Sequence, residues 1–190
     1  FFVFLNFENN FSELFLSLTS SISNIGFSLN NSPNNLSFIF LVLVIIGGSF
    51  FSTSSGIRFL KIYSLFKYSI NEILSYSRPK NIYINKHLFS KDSFKLDEIY
   101  KYFLSVIVFI ISLLILTFLL TLSGIEFESS FKLAILTIMN TVNSSMFGLS
   151  DFSFYDLHFI TKYYLIFFMI VGRLELLTLL IICKKFLFKN

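Results

Sequence analysis

Residues 102–123 read YFLSVIVFIISLLILTFLLTLS, a continuous run without a charged side chain. About 20 mostly apolar residues are enough for a helix to cross the hydrocarbon core of a bilayer. The whole composition agrees, since 55% of the 190 residues are hydrophobic and only 14% are charged, whereas about 25% is usual for soluble domains. The sequence therefore predicts an all-α integral membrane protein.

Composition also excludes several classes of protein. The single cysteine, Cys183, excludes a disulfide framework and any multi-cysteine metal site. The two histidines, His87 and His158, lie too far apart in sequence to form a local ligand pair. No Ser/His/Asp set and no pair of carboxylates falls at a common membrane depth. We therefore expect no enzymatic activity and no organic cofactor.

Two further stretches predict transmembrane helices, one on each side of the central run. Residues 36–57 are uncharged, and their second half turns small and hydroxylic. Residues 163–183 are apolar except for Arg173 and Glu175 near the centre. A charge at the centre of a bilayer helix costs ~2.5–3.5 kcal/mol on insertion scales, and such residues usually face an interior cavity with a function. We therefore expect Arg173 to face a pore.

The basic residues orient these three spans. Nine of the 15 Lys and Arg lie between the first and second spans, and three more follow the third. Positive charge is retained on the cytoplasmic side of a membrane. The N-terminus and residues 124–162 are therefore predicted to lie outside, and residues 58–101 and 184–190 in the cytoplasm. On this interpretation the net charge of +4 describes the topology of a multi-pass protein of the cell (inner or plasma) membrane, with no nucleic acid partner.

Two apolar segments, residues 11–22 and 131–139, are too short to cross a bilayer. Surface-lying amphipathic helices followed by ordinary loops would explain either segment alone. However, the order of short helix, polar loop and full span occurs twice. This order favours re-entrant pore helices in membrane–pore–membrane repeats. We expect the leading span of the first copy to be missing from this chain.

Three motifs extend this interpretation. Residues 23–29 read SNIGFSL, residues 47–58 read GGSFFSTSSGIR, and residues 169–178 read MIVGRLELLT. In this order they resemble the third pore loop, the glycine-rich stretch G-G-S-x-G-S-T-A-G-G-I-K and the closing M-x-x-G-R-L-E-x-x-T of the TrkH/KtrB-type potassium uptake proteins (Trk/Ktr/HKT superfamily). The resemblance covers essentially the whole chain and corresponds to the C-terminal part of the family's four repeats: the second half of repeat three plus repeat four.

The resemblance divides the chain into seven segments. Residues 1–35 would form the pore helix and filter loop of repeat three, and residues 36–57 a transmembrane helix with an intramembrane gating loop at 47–56. A cytoplasmic segment (58–101) and a transmembrane helix (102–123) would follow. Residues 124–162 would form an outer segment with re-entrant pore helix 131–139 and filter loop 140–148, before a transmembrane helix (163–183) and a cytoplasmic tail (184–190).

A potassium filter replaces the hydration shell of the ion with backbone carbonyls. The filter residues that the resemblance implies are Asn24, Ile25, Gly26, Phe27, Thr141, Val142 and Asn143, with potassium bound by the carbonyls of Ile25, Gly26, Val142 and Asn143. Asn143 stands where the family has glycine. Asparagine tolerates a left-handed backbone better than other non-glycine residues, which would preserve the carbonyl geometry. Gly148, after a small shift, is the alternative.

The resemblance further implies a gate beneath the filter. Its residues are Gly47, Gly48, Ser49, Ser52, Thr53, Gly56 and Arg173. The loop would obstruct the conduction path when closed, and the guanidinium would repel cations and hydrogen-bond the loop. A helix-packing face built from small residues, a common device in membranes, is the alternative for the loop.

Partners are implied in the same way. The family forms homodimers of the complete chain, and a cytosolic nucleotide-binding (RCK-type) regulatory subunit meets the cytoplasmic face. Within that face, residues 59–76 predict an amphipathic helix and residues 82–86 a small hairpin. A basic loop resting on anionic headgroups of the lipid bilayer is the alternative. The predicted function is potassium uptake through a pore-forming subunit; the alternative is a non-conducting fragment or degenerate structural membrane protein.

Overall fold

The computed structural model describes residues 11–27, 34–46, 59–77, 96–143, 145–149, 153–155, 157–173 and 185. All regular structure in these ranges is helical, as predicted. The six α-helices are α1 (Phe11–Ile22), α2 (Asn34–Ile46), α3 (Phe59–Ser77), α4 (Leu96–Leu122), α5 (Phe127–Met139) and α6 (Phe159–Arg173). A short 3-10 helix, Ser145–Phe147, lies between α5 and α6.

The longest helix, α4, contains the central run of apolar residues. Its part from Glu98 to Leu122 is the one stretch in the described ranges that is long and apolar enough to cross a membrane. The helix begins at Leu96, earlier than the predicted span. An acidic residue near a helix N-terminus, such as Glu98, is favoured by the helix dipole. The charged residues that precede the apolar run can therefore belong to the same helix. The predicted gating loop at 47–56 lies outside the described residues. After Arg173, the structure describes only residue 185.

Helix α5 lies at the centre of the molecule and contacts α2, α4 and α6. Its residues 133–139 are all buried. A helix that is apolar on every side is stable only where neighbours cover every side. Helix α2 contributes Phe40 and Val44, which are fully buried, and the 3-10 helix adds Met146 and Phe147 to the same core. The second half of the chain therefore packs directly on the first.

The start of the second short helix differs from the prediction. Helix α5 begins at Phe127 rather than at residue 131. Glu128, which precedes the predicted helix, and Lys132 lie one turn apart and form an ion pair of 2.6 Å. Opposite charges at i and i+4 support a helix, so the pair extends α5 outward.

The buried face of α1 does not consist of its large apolar side chains alone. Leu14 is buried, whereas Phe15 and Ile22 are exposed. Ser17 and Ser21 are buried instead, and their hydroxyls donate to carbonyls of the same helix, Glu13 and Leu18, at 2.9 Å each. Small side chains with internally satisfied hydroxyls can therefore replace large apolar ones on the inner face of this helix.

Candidate ion-binding site

The first predicted filter loop begins where Asn24 ends α1. Asn24 has φ 58, a left-handed conformation that asparagine adopts more readily than other residues with a side chain. Its N–H donates to the Ser21 carbonyl at 3.2 Å, and the N–H of Ile25 donates to the Ser20 carbonyl at 3.0 Å. These bonds satisfy carbonyls that the end of a helix leaves unpaired. The chain therefore turns sharply into the loop.

Gly26 follows with φ +81, a second left-handed position. A Cβ at Gly26 would overlap with the carbonyl oxygen of Val142 and lie 2.7 Å from Cγ2 of Thr141. The next amide, of Phe27, donates to the hydroxyl of Ser20 at 2.6 Å. Both the backbone conformation and the lack of space therefore require glycine at this position.

The second predicted filter loop repeats this geometry at the end of α5. Asn140 has φ 54 and ψ 35, and its N–H bonds the carbonyls of Leu136 and Thr137. The N–H of Thr141 then donates to the Leu136 carbonyl at 2.9 Å. Counted from the left-handed asparagine, Ile25 corresponds to Thr141 and Gly26 to Val142. Helices α1 and α5 thus end in the same backbone arrangement.

The two loops meet through their backbones. The N–H of Val142 donates to the carbonyl oxygen of Ile25 at 3.2 Å. The side chains of Ile25 and Val142 point away from the chain and are 57% and 64% exposed. Residues that are far apart in sequence are therefore placed together, main chain against main chain.

Each loop is also fixed to the helix that follows it. The Asn140 amide nitrogen Nδ2 donates to the Met169 carbonyl of α6 at 3.0 Å. In the amide orientation that satisfies both ends of its side chain, Asn24 donates to the Val44 carbonyl of α2 at 3.1 Å and to the Ser21 carbonyl at 3.2 Å. Sequence reasoning placed Asn140 at the start of the second filter loop but gave it no role in the site. Its signal was an asparagine directly after an apolar helix, the usual place of a left-handed cap.

A cavity of about 280 Å³ lies beside the second loop, between α5 and α6. Its lining includes Thr141, Val142 and Asn143. The side-chain oxygens Oγ1 of Thr141 and Oδ1 of Asn143 are buried and accept no hydrogen bond within the described residues. No group of three or more His, Cys, Asp or Glu that would hold a metal ion occurs in these ranges. The available ligands at the loops are therefore neutral oxygens.

The expected left-handed conformation of Asn143 is wrong. In the ranges that the structure describes, the non-glycine residues with positive φ are Asn24 and Asn140. The left-handed asparagine of the second loop is thus the helix cap, where the turn is made, and not the residue in the glycine position of the family pattern. Gly148 does have a positive φ of 69, but its nearest neighbours are Lys132 and Ser37.

The predicted gate is described only at Arg173, which is exposed at the end of α6. The other predicted gate residues (Gly47, Gly48, Ser49, Ser52, Thr53 and Gly56) lie outside the described residues. Before Arg173, Gly172 lies against the backbone of Ile138 in α5, where a Cβ would overlap with the carbonyl oxygen. The position of Arg173 is therefore set by a close contact between α6 and the pore helix.

The N-terminal part of α5 carries a charge pair. The Lys132 ammonium group donates a hydrogen bond to the carboxylate of Glu128, and with its positive charge holds the pKa of Glu128 below its usual value. Lys132 is 16% exposed in its side chain, whereas Glu128 is 73% exposed. The pair thus joins a largely buried cation to an exposed carboxylate.

Comparison with known proteins covers almost the whole sequence. Residues 5–188 match the sequence profile of the TrkH family, described as a cation transport protein. The fold is similar to the crystal structure of the potassium transporter TrkH from Vibrio parahaemolyticus, with a TM-score of 0.78 and 23% sequence identity. The match covers 90% of this chain and 36% of that protein, so the chain spans well under half of its length. No curated protein matches the sequence.

Proposed function

Because this chain belongs to the TrkH family of cation transport proteins, we propose that it takes part in moving potassium across the cell membrane. It would supply two of the loops that line a selectivity filter, namely residues 24–27 and 140–143. The motif resemblance to potassium uptake proteins and the similar fold of a potassium transporter support potassium as the cation. Membrane location follows from the family and from the apolar composition.

One observation carries this proposal: the hydrogen bond from the N–H of Val142 to the carbonyl oxygen of Ile25. A filter needs carbonyls from several chain segments around one axis. The bond brings the main chains of the two loops into register at the ends of two pore helices. A carbonyl oxygen has two lone pairs, so the oxygen of Ile25 can accept this N–H and still take part in binding an ion.

Potassium would be bound by the backbone carbonyls of Ile25, Gly26, Val142 and Asn143. These oxygens are neutral, as required of a site that must release its ion as well as bind it. The buried oxygens of Thr141 and Asn143 would add polarity beside the second loop. Counted from the left-handed asparagine, Val142 stands in the second loop where Gly26 stands in the first. Gly26 has a positive φ and Val142 does not, so the two loops would contribute different backbone conformations to one filter.

Gating forms a second part of the proposal. The glycine- and serine-rich loop at 47–56 would obstruct the pathway beneath the filter, with Arg173 as its partner and as a barrier to cations. Like charges repel strongly where water is scarce. The exposure of Arg173 at the end of a helix that is fixed to the pore helix supports this role.

The proposal also includes the orientation of the chain in the membrane and the partners of the complete protein. The N-terminus of the chain would lie outside and the C-terminus in the cytoplasm, as the distribution of Lys and Arg indicates. The complete protein would form a homodimer and bind an RCK-type regulatory subunit on the cytoplasmic side. Family membership and the basic segment 58–101 support these partners.

Uptake by the complete protein tests the proposal. It is expressed in a bacterial strain that lacks its own potassium uptake systems, and growth at low potassium and rubidium uptake are measured. We expect growth and rubidium uptake well above those of an empty-vector strain, with weak competition by sodium. Normal amounts of protein in the membrane without rubidium uptake would support the non-conducting alternative instead.

A further inference from the structure

We propose that Asn24 and Asn140 are paired positioning residues, whose side-chain amides tether the two filter loops to the helices that lead to the predicted gate. This inference rests on the proposed function, because it assigns a task within the filter. Neither residue would have to contact the ion through its side chain. Each would set where the carbonyls that follow it are held.

The first support is that the two sites have the same construction. Both asparagines have a left-handed backbone, with φ 58 and φ 54. In both, the N–H of the next residue bonds a carbonyl five residues earlier, from Ile25 to Ser20 and from Thr141 to Leu136. The same residue type in the same conformation at the ends of two separate helices indicates a shared task.

The second support is where the side chains reach. Nδ2 of Asn140 donates to the carbonyl of Met169 at 3.0 Å. In the amide orientation that satisfies both ends of its side chain, Nδ2 of Asn24 donates to the carbonyl of Val44 at 3.1 Å. Val44 precedes Gly47 by three residues, and Met169 precedes Gly172 by three residues. Both tethers therefore end three residues before a glycine, which is Gly47 of the predicted gating loop in one case and Gly172, the neighbour of Arg173, in the other.

The third support is the hydrogen bond that a carbonyl at this position accepts within a helix. A helical carbonyl is normally bonded by the N–H four residues further on. For Met169 this residue is Arg173, a predicted gate residue at the end of α6. The tether from Asn140 therefore ends on the carbonyl one turn before Arg173. A shift of Arg173 would therefore act on the second filter loop through this carbonyl.

A helix cap alone predicts a different result from a tether. Glycine is the most favourable residue in a left-handed cap, so Asn→Gly keeps or improves the cap while it removes the amide. Asn→Asp keeps the shape, but an ionised carboxylate only accepts hydrogen bonds and cannot donate to a carbonyl. The two kinds of variant thus separate the backbone turn from the tether.

The experiment uses the complete protein with Asn24→Gly, Asn140→Gly and the corresponding aspartate variants. Ser23→Ala is the matched control, because the Ser23 hydroxyl bonds only the carbonyls of Thr19 and Ser20 in its own helix. Two quantities are measured: discrimination between rubidium and sodium in uptake, and hydrogen–deuterium exchange of peptides that contain residues 24–27 and 140–143.

We expect each glycine variant to lower discrimination by roughly threefold to tenfold, the loss expected for one hydrogen bond, and to speed amide exchange in its own loop. Ser23→Ala should change neither quantity. Unchanged discrimination together with unchanged exchange in the glycine variants would overturn the inference. If the glycine variants accumulate poorly, the aspartate variants decide by the same two measurements.

Failure of the proposed function is recognised separately. If the unmodified protein takes up no rubidium, the transport proposal fails and the tether is judged by exchange alone. Faster exchange in the glycine variants, but not in Ser23→Ala, would then still establish that the amides hold the loops. Unmodified uptake with glycine variants that exchange faster but discriminate equally would show tethers without a role in selectivity, and the inference would fall.

Discussion

Gly172 of α6 lies directly against the carbonyl oxygen of Ile138 in α5, so closely that a Cβ at Gly172 would overlap with it. This glycine is required by the approach of two helices and not by its own backbone conformation, since its φ is not positive. The contact lies one residue before Arg173 and two residues before the cap Asn140. Helices α5 and α6 are thus held together beside the predicted second filter loop.

Gly172→Ala should therefore destabilise the protein. The added methyl group meets backbone atoms, which cannot move aside as a flexible side chain would, and overpacking of this kind costs about 1–3 kcal/mol. Thermal unfolding of the purified protein in detergent should show a lower Tm. Ile170→Ala, at an exposed position of the same helix, is the control and should change the Tm much less. Equal Tm values for Gly172→Ala and the unmodified protein would contradict the packing described.

Gly26→Ser should lower the discrimination between potassium and sodium. Two penalties act at Gly26, the strain of a positive φ and the overlap with Val142. Gly124→Ser provides the matched control, because Gly124 has φ +90 but no atom within 4 Å of its missing Cβ. We expect rubidium and sodium uptake to show a loss of selectivity for Gly26→Ser alone. Equal losses in both variants would mean that general backbone strain, and not the filter, is responsible.

The Glu128–Lys132 pair should make stability depend on pH. The pKa of Glu128 is lowered by the hydrogen bond from Lys132 and by its charge. A carboxyl with a lowered folded-state pKa stabilises the fold above its unfolded-state pKa, and this contribution is lost as the pH falls through the folded-state pKa. Glu128→Gln should therefore lower the Tm slightly at pH 7 and not at strongly acidic pH. Lys132→Gln should remove the effect of Glu128→Gln at pH 7; persistence of that effect would exclude the pair as its cause.

Labelling of introduced cysteines should establish the orientation. A cysteine at Glu126, which is exposed at the start of α5, should react with a membrane-impermeant reagent added to intact cells. A cysteine at Tyr76, which is 85% exposed near the end of α3, should react only after the membrane is opened. Both are placed in a background with Cys183→Ser. The reverse pattern would overturn the assignment of every loop.

Arg173 and the loop 47–56 should act on the same closed state. Arg173→Ala should raise potassium flux, and a partial deletion within the loop should raise it too. If one interaction links them, the double change gives less than the sum of the single changes, since coupled sites are not additive. Fluxes that fall, or that simply add, would mean that Arg173 and the loop act separately.

Much of the fold could be predicted because residue type decides it locally. The central span follows from a run of apolar side chains, and the need for glycine at position 26 follows from its place in a filter-like motif. Helix α5 was predicted too short because its start was taken from the apolar run at 131–139, and the exposed Glu128 lies before that run. The spacing of four residues between Glu128 and Lys132 lets them pair within the helix.

The side-chain contacts between the loops and the neighbouring helices could not be predicted from local sequence patterns. Asn24 was singled out for its motif, whereas its amide is used for a carbonyl of the next helix, at Val44. Asn140 carries the same bond to Met169, and a family pattern that is compared residue by residue directs attention to Asn143 instead. Partners that lie on another helix depend on how helices pack, and a single sequence does not reveal that.

Met146 and Phe147 pack on α2, where both side chains are completely buried against Phe40 and its neighbours. This packing has a consequence for biogenesis. Chains are made from the N-terminus onward, so the ribosome releases α2 long before it reaches residue 147. Until then the inner face of α2 must be shielded by lipid or by the insertion machinery. The packing around α2 consequently reaches its final form only after residues 146 and 147 have been translated, and truncation before Phe147 would leave it unfinished.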